Sequence, residues 1–334
     1  MELNIICDIL VGLVFGDCGK GKISAELSKS GKYTYAMRFN GSHNAGHTIY
    51  VDGKKVVTHI VPTGAIFGIP SIIGPGCVIH EADFISELNE LLPVQPNIHS
   101  LVKIAKNTHI VTDAHRQEES VETRIGTTRK GVGPCYRDKY ARVGIRAEAS
   151  QTLRPYLIDM FEWAEQNPDA VVLAEGAQSI GLDIDSDQYP YVTSSHCGVG
   201  AVINNGIPHT AIRNVFGIAK AYDTYVGARI FQDKSDPILD VLGDIGNEYG
   251  ATTGRRRQCN YLDVERLHSA VIRTGVTDLY INKIDVLRKA NVWRMIGAGG
   301  HIVESKGEDE FRTRISDRIP SGISLTFSDS PERI

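Results

Sequence analysis

Residues 4–22 read NIICDILVGLVFGDCGKGK. Positions 4–15 form a near-continuous apolar run, the pattern of a strand buried on both faces of a mostly parallel sheet. The run stops at Gly16, and Gly16-Asp17-Cys18-Gly19-Lys20-Gly21-Lys22 leads into ISAELSKS, which carries Ile23 and Leu27 on one helical face. Glycines let backbone N–H groups point into the turn, and a helix N-terminus adds positive potential, so the segment makes an anion cradle. It fits G-x-x-x-x-G-K, but Ile23 stands where a P-loop carries the Ser or Thr that meets magnesium. A surface loop with two solvated lysines is the plainer explanation; the order strand, glycines, helix favours the cradle. Asp17 would repel phosphate, and a carboxylate there makes sense if it binds Mg²⁺ or removes a proton.

Beyond the cradle, apolar segments and helical patterns alternate. Asp52-Gly53 between residues 48–51 and 54–60 is a two-residue hairpin signal. Residues 71–79 are another apolar segment, and 101–105, 170–174, 278–282 and 323–327 read as strands. Helices are expected over 82–92, over 152–164 with Leu153, Leu157, Met160 and Trp163 on one stripe, and over 264–274. Two stretches rich in glycine and charge, 125–146 and 246–261, read as long functional loops. No repeat, low-complexity tract or Pro/Ser-rich linker interrupts the chain. The expected fold is α/β, a single domain over 1–334, with a mostly parallel central sheet, helices on both faces and a P-loop-like architecture.

Composition narrows the function classes. The 334 residues are 42% hydrophobic and 23% charged, which excludes a disordered or collagen-like chain. No run of about 18 apolar residues predicts a membrane span. Residues 1–13 carry Glu2 and Asp8 and lack a basic region, so they read as a buried strand and not a signal peptide. With 36 basic and 40 acidic residues the net charge is −4, and no bulk electrostatic grip on nucleic acid is expected. Cysteines 7, 18, 77, 135, 197 and 259 form no CxxC pair, which argues against a disulfide framework or zinc site and for a reducing cytoplasm.

Four further motifs carry chemistry. Asn44-Ala45-Gly46-His47-Thr48 places a histidine just before the hairpin; alone, such a residue is usually structural. Residues 125–134, IGTTRKGVGP, followed by Arg142, suit a second phosphate, with threonine hydroxyls and a bidentate guanidinium. Residues 250–257, GATTGRRR, look like a mobile clamp for carboxylate or phosphate. Asn282-Lys283-Ile284-Asp285 is the N-K-x-D string that reads guanine, because a carboxylate accepts from two donors that adenine does not present together. In register with the cradle, it makes the expected architecture a GTP-binding one.

Together these strings, with LAEGAQSIGLDID (173–185) and YPYVTSS (189–195), resemble the adenylosuccinate synthetase family in a compact, archaeal- or phage-like form. They run in the family's order from residue 12 to 285, with a weaker match at 328–333. The resemblance implies ligation of L-aspartate to inosine monophosphate (IMP), with GTP spent through a 6-phosphoryl intermediate in purine biosynthesis. It implies Mg²⁺ held by Asp17 and the Gly46 carbonyl, Asp17 as base, and His47 and Lys20 as further catalytic groups. It places IMP against Asn44, Thr128, Gln178, Thr193 and Arg255, and against Arg142 of a second copy, hence a cytoplasmic homodimer. It places aspartate against Thr253, Arg255 and Arg257. GTP would meet Gly16, Gly19, Lys20, Gly21, Lys22, Gly46, His47, Thr48, Arg257, Lys283, Asp285, Ser328 and Ser330.

Departures from the family pattern are Cys18 for Glu, Val14 for Gln, Arg129 for Gly, Tyr225 for Arg, His196-Cys197 for Asn-Thr, and Asp329-Ser330 for Thr-Gly. A phage branch of this family uses dGMP, with ATP or GTP, and typically replaces the catalytic Asp by a smaller residue; Asp17 favours IMP. A non-catalytic GTP-binding regulator would need the cradle and NKID but neither Asp17, His47 nor the arginine clamp.

Overall fold

The computed structural model describes residues 3–250 and 254–330. Alternate residues of the first strand, Ile6–Gly12, enter two separate cores. Cys7, Ile9 and Val11 join the largest cluster, which takes in Val202 of the helix Val199–Ile203 and Leu267, Ala270 and Val271 of the helix Val264–Thr274. Leu10 points the other way, onto Ile23 of the helix Lys20–Lys29. A strand that is apolar on both sides needs helices on both sides, and it has them.

The sheet has nine parallel strands, in the order Ser324–Phe327, Asp278–Asn282, Ile212–Lys220, Ile6–Gly12, Val171–Ser179, Tyr35–Arg38, Ser71–Ile73, Val102–Ala105, Leu157–Ile158. From the first strand the chain steps outward through Tyr35–Arg38 to Leu157–Ile158. It returns at Val171–Ser179, then builds the opposite flank. The direction of winding reverses around the first strand, and ligands of such sheets bind in the crevice beyond the carboxyl ends at that point. Gly12, Arg38, Ser179, Lys220 and Asn282 are those ends.

A four-stranded sheet, Tyr222–Tyr225, Gln258–Asp263, Arg294–Ile296 and Ile302–Glu304, lies beside it. The hairpin His47–Val51 and Lys54–Thr58 closes through Asp52 and Gly53, both at positive φ (50° and 74°), as a twisted two-residue turn requires. The helix Val264–Thr274 and the strand Asp278–Asn282 have the bounds expected from sequence. Asp263 starts that helix by accepting from the N–H groups of Glu265 and Arg266, and Gly275 at φ 64° ends it.

Three expectations fail. Residues 152–164 are not one helix: a 3-10 turn, Arg154–Tyr156, leads to the edge strand Leu157–Ile158, and a short helix, Met160–Gln166, follows. Pro155 removes a backbone donor, Leu157 and Ile158 pair with Ile104 and Ala105, and Asp159 caps the helix through Phe161 and Glu162. The polar stretch 125–146 is not all loop, for Val132–Ala141 is a helix. It follows Gly131 at φ 75°, tolerates Pro134 in its first turn, and buries Val132, Cys135 and Tyr136 at helical spacing. Likewise, 246–261 ends in strand. All six cysteines are buried and unpaired. Among the described residues, no helix is long and apolar enough to cross a membrane.

Candidate active site

The cradle forms where the first strand ends. Gly19 has φ 91°, and a Cβ there would lie 2.8 Å from the Asn282 amide, so only glycine lets the loop pass so close. Asn282 Nδ2 donates to the Cys18 carbonyl at 2.8 Å. The Asn of NKID thus braces the phosphate loop, a role its motif did not reveal. A Cβ on Gly21 would meet the Thr48 carbonyl at 2.8 Å and His47 at 3.1 Å, so the NAGHT segment is seated on the N-terminus of the cradle helix. Asp17 holds a left-handed backbone (φ 60°), as do Arg142 (66°) and Lys283 (70°). For non-glycine residues this conformation is costly, and such strain concentrates at functional sites.

His47 rests on a buried ion pair that the motifs missed. Arg38 Nη2 meets Glu175 Oε1 at 2.9 Å, and both side chains are essentially fully buried. Glu175 also accepts from the Ser24 hydroxyl (2.6 Å) and the Thr63 N–H (2.9 Å). Burial pushes the Glu175 carboxyl up, but Arg38 and His47 more than reverse this and keep it charged. Arg38 Nη1 lies 3.2 Å from both ring nitrogens of His47, and Glu175 3.8 Å away. Burial, then the Arg38 charge, lowers His47 to about 4, so the ring is neutral near pH 7. Lys20 adds its charge to the same spot from the cradle.

On the other side, the arginine stretch reaches the cradle. Arg257 Nε faces Asp17 Oδ2 at 2.8 Å and Nη1 faces Glu248 Oε2 at 2.5 Å. Arg255 Nη2 donates to the carbonyls of Gly126 (3.0 Å) and Thr127 (3.4 Å), bringing the clamp to the loop of Thr128. Lys22 donates to Ser328 Oγ (2.6 Å) and the Ser330 carbonyl (2.9 Å), and burial lowers it to about 8 against the pull of Asp285. Lys283 Nζ donates to the Gly246 carbonyl at 2.9 Å. Asp285 opens the helix Ile284–Ala290, 3.5 Å from Lys289.

The residues expected to meet IMP divide. Asn40 Nδ2 donates to Gln178 Oε1 (3.3 Å) and Ser195 Oγ (3.1 Å), while Asn44 Oδ1 accepts from the Ser42 N–H at 3.0 Å. The Thr193 N–H donates to the Leu182 carbonyl at 2.8 Å. Arg142 stands apart: it caps the helix Val132–Ala141, is exposed, and among the described residues its guanidinium makes no hydrogen bond or ion pair. Tyr140, Val143 and Ile145 beside it expose apolar surface. Thr253 lies outside the described residues. Of the departures, Tyr225 packs with Phe15 and Phe231 around the Arg229 guanidinium, which lies 4.8 Å from the Tyr225 ring.

For a hard cation the Asp17 carboxylate and the Gly46 carbonyl supply fitting oxygen donors; the Asp17 side chain is 31% exposed at the mouth of the cradle. Asp183, Asp185 and His196 also bring three ligand atoms within 4.8 Å of one another. There, however, Asp183 accepts from the N–H groups of Asp185 and Cys197, the pattern of a loop tie.

The family model for adenylosuccinate synthetase matches residues 9–149 and 147–298. The adenylosuccinate synthetase of Lodderomyces elongisporus is 34% identical, the match covering 85% of this chain and 79% of that one. The fully ligated Plasmodium falciparum adenylosuccinate synthetase superposes with a TM-score of 0.85 at 26% identity, covering 98% of each chain. The cyanophage S-2L succinoaminodeoxyadenylate synthetase, bound to dGMP and dATP, shares the fold: TM-score 0.72, 20% identity, 94% of this chain and 99% of that one. The chain belongs to the adenylosuccinate synthetase family, whose members are ligases that form a C–N bond.

Proposed function

We propose that this ligase joins L-aspartate to IMP and converts GTP to GDP and phosphate. One observation carries the reading: Asp17, strained at the mouth of the phosphate cradle, is ion-paired at 2.8 Å with Arg257 of the arginine clamp. Base, phosphate loop and carboxylate clamp therefore meet at one point. A lactam oxygen is a poor nucleophile, and hydroxide is a poor leaving group. Asp17 takes the N1 proton of IMP, O6 attacks the γ-phosphorus, and GDP leaves. The aspartate amine then adds at C6 and phosphate departs.

A carboxylate with an ordinary pKa of about 3.9 is too weak a base for N1 unless positive charge stabilises the oxyanion that forms. Lys20 supplies such charge. His47, neutral in its pocket, donates a ring N–H to a phosphate oxygen. Enzymes of this family use a metal ion, and Mg²⁺ suits the oxygen donors Asp17 and Gly46; when bound, it would neutralise the β- and γ-phosphate oxygens. Asn44, Thr128, Gln178, Thr193 and Arg255 bind IMP, and Thr253, Arg255 and Arg257 the carboxylates of aspartate. Gly16, Gly19, Lys20, Gly21, Lys22, Gly46, His47, Thr48 and Arg257 meet the GTP phosphates, while Lys283, Asp285, Ser328 and Ser330 frame guanine.

The exposed Arg142, framed by apolar side chains, fits a homodimer in which it reaches the partner's IMP phosphate. The two sheets share one core through Tyr222, Tyr261 and Met295, which favours a single domain. Six unpaired thiols suit the cytoplasm.

Phosphate release from GTP that requires both IMP and aspartate tests the reading. Basal hydrolysis indifferent to aspartate would point to a regulator. Product formed from dGMP and not from IMP would overturn the substrate assignment.

A further inference from the structure

Glu248 belongs to none of the motifs, yet its side chain is completely buried at the centre of the site's charges. Oε2 accepts from Arg257 Nη1 at 2.5 Å. Oε1 accepts from the Tyr222 hydroxyl at 2.5 Å and from Lys220 Nζ at 3.3 Å, with Lys283 Nζ 3.9 Å away. The backbone repeats this division. The Glu248 carbonyl accepts from the Arg257 N–H at 2.9 Å, and the Gly246 carbonyl from Lys283 Nζ at 2.9 Å. One short turn, 246–248, therefore grips an arginine of the clamp with one end and the lysine of the guanine motif with the other. Arg257 passes the connection to Asp17 at 2.8 Å. Burial raises the Glu248 carboxyl, but Lys220, Arg257 and Lys283 outweigh it and hold the group at about 2, so it is charged.

We infer that Glu248 is a positioning residue shared by two substrate sites: its one carboxylate sets Arg257 for aspartate and Lys283 for the guanine nucleotide. The inference rests on the roles proposed above for those two residues. Because the anchor is common, disturbing it moves both sites together; it does not touch Asn44, Gln178 or Thr193, so IMP binding is spared, and any effect carried through Arg257 to Asp17 falls on kcat.

Steady-state kinetics of Glu248→Gln, with all three substrates varied, test this. The amide keeps the volume, loses the charge, and weakens the contacts with Arg257, Lys220 and Lys283. KM for aspartate should rise about tenfold or more, the worth of the charge-assisted hydrogen bond to Arg257, and KM for GTP about threefold or more as the ion pair with Lys283 is lost, with KM for IMP within about twofold. Glu248→Asp should recover part of both losses. Should Glu248→Gln fail to fold, Tyr222→Phe, which loosens Oε1 alone, should raise the same two constants by a smaller factor. Unchanged constants, a rise in only one of the two, or an equal rise in all three would overturn the inference. If the wild-type enzyme ligates aspartate to IMP and the variants behave in any of those ways, only the role of Glu248 falls. If the wild-type enzyme does not, the proposed function falls, and this inference with it.

Discussion

At the scale of single residues, function and strain coincide. Asp17 and Lys283 occupy backbone conformations that glycine would adopt more cheaply. Under the proposed function their side chains are what a glycine could not supply: a base at the purine and a lysine beside guanine. Asp17→Asn should lower kcat about 10³-fold while GTP binding, followed by calorimetry, stays within a few-fold; retained turnover would remove Asp17 from the chemistry. Asp285→Asn should cut the preference for GTP over ATP about tenfold or more in kcat/KM, because one acceptor for the guanine donors is replaced by an amide. An unchanged ratio would place guanine recognition elsewhere. The motifs that the structure gathers around the cradle were legible in the sequence because glycines, arginines and the NKID string keep fixed local spacings. Arg38, Glu175 and Glu248 were not. Glu175 and Glu248 lie within quoted stretches and Arg38 in none, and the meaning of each comes from partners up to 137 residues away, as in Arg38 with Glu175.

At the scale of elements, the cradle helix and the hairpin work as one unit because nothing larger than a hydrogen fits between Gly21 and Thr48. Gly21→Ala is favourable for a helix in isolation, so its effect should come from the forced shift of His47–Val51. Turnover should fall at least about tenfold with the circular dichroism spectrum unchanged; wild-type turnover would mean the two elements are not coupled. Element boundaries were readable where a cap and a period agreed, as with Asp263, the stripe of Val264–Thr274 and Gly275. They were misread where a stripe ran through Pro155 and Asp159. There the apolar spacing of Leu157, Met160 and Trp163 came from two elements packing in succession, and strand pairing with Ile104–Ala105 decided the outcome.

At the scale of the whole molecule, the buried histidines set an acid limit on stability. Burial foremost lowers His43 to about 3, and burial with the Arg38 charge lowers His47 to about 4. Both rings are neutral in the folded chain, whereas unfolded histidines take up protons near pH 6.5. The unfolded state thus binds more protons in that interval. Stability should therefore fall as pH drops from about 6.5 towards 4, by up to about 1.4 kcal/mol per pH unit for each ring. Urea unfolding across this range should show the fall, and His43→Gln should make it shallower; an identical slope in the variant would mean His43 is not held neutral. The central claim concerns the oxygen on C6 of the purine. With IMP labelled with ¹⁸O at C6, supplied with GTP and aspartate, the account requires the label to leave on the inorganic phosphate, one atom per product formed. Unlabelled phosphate, with the oxygen lost to water, would contradict it.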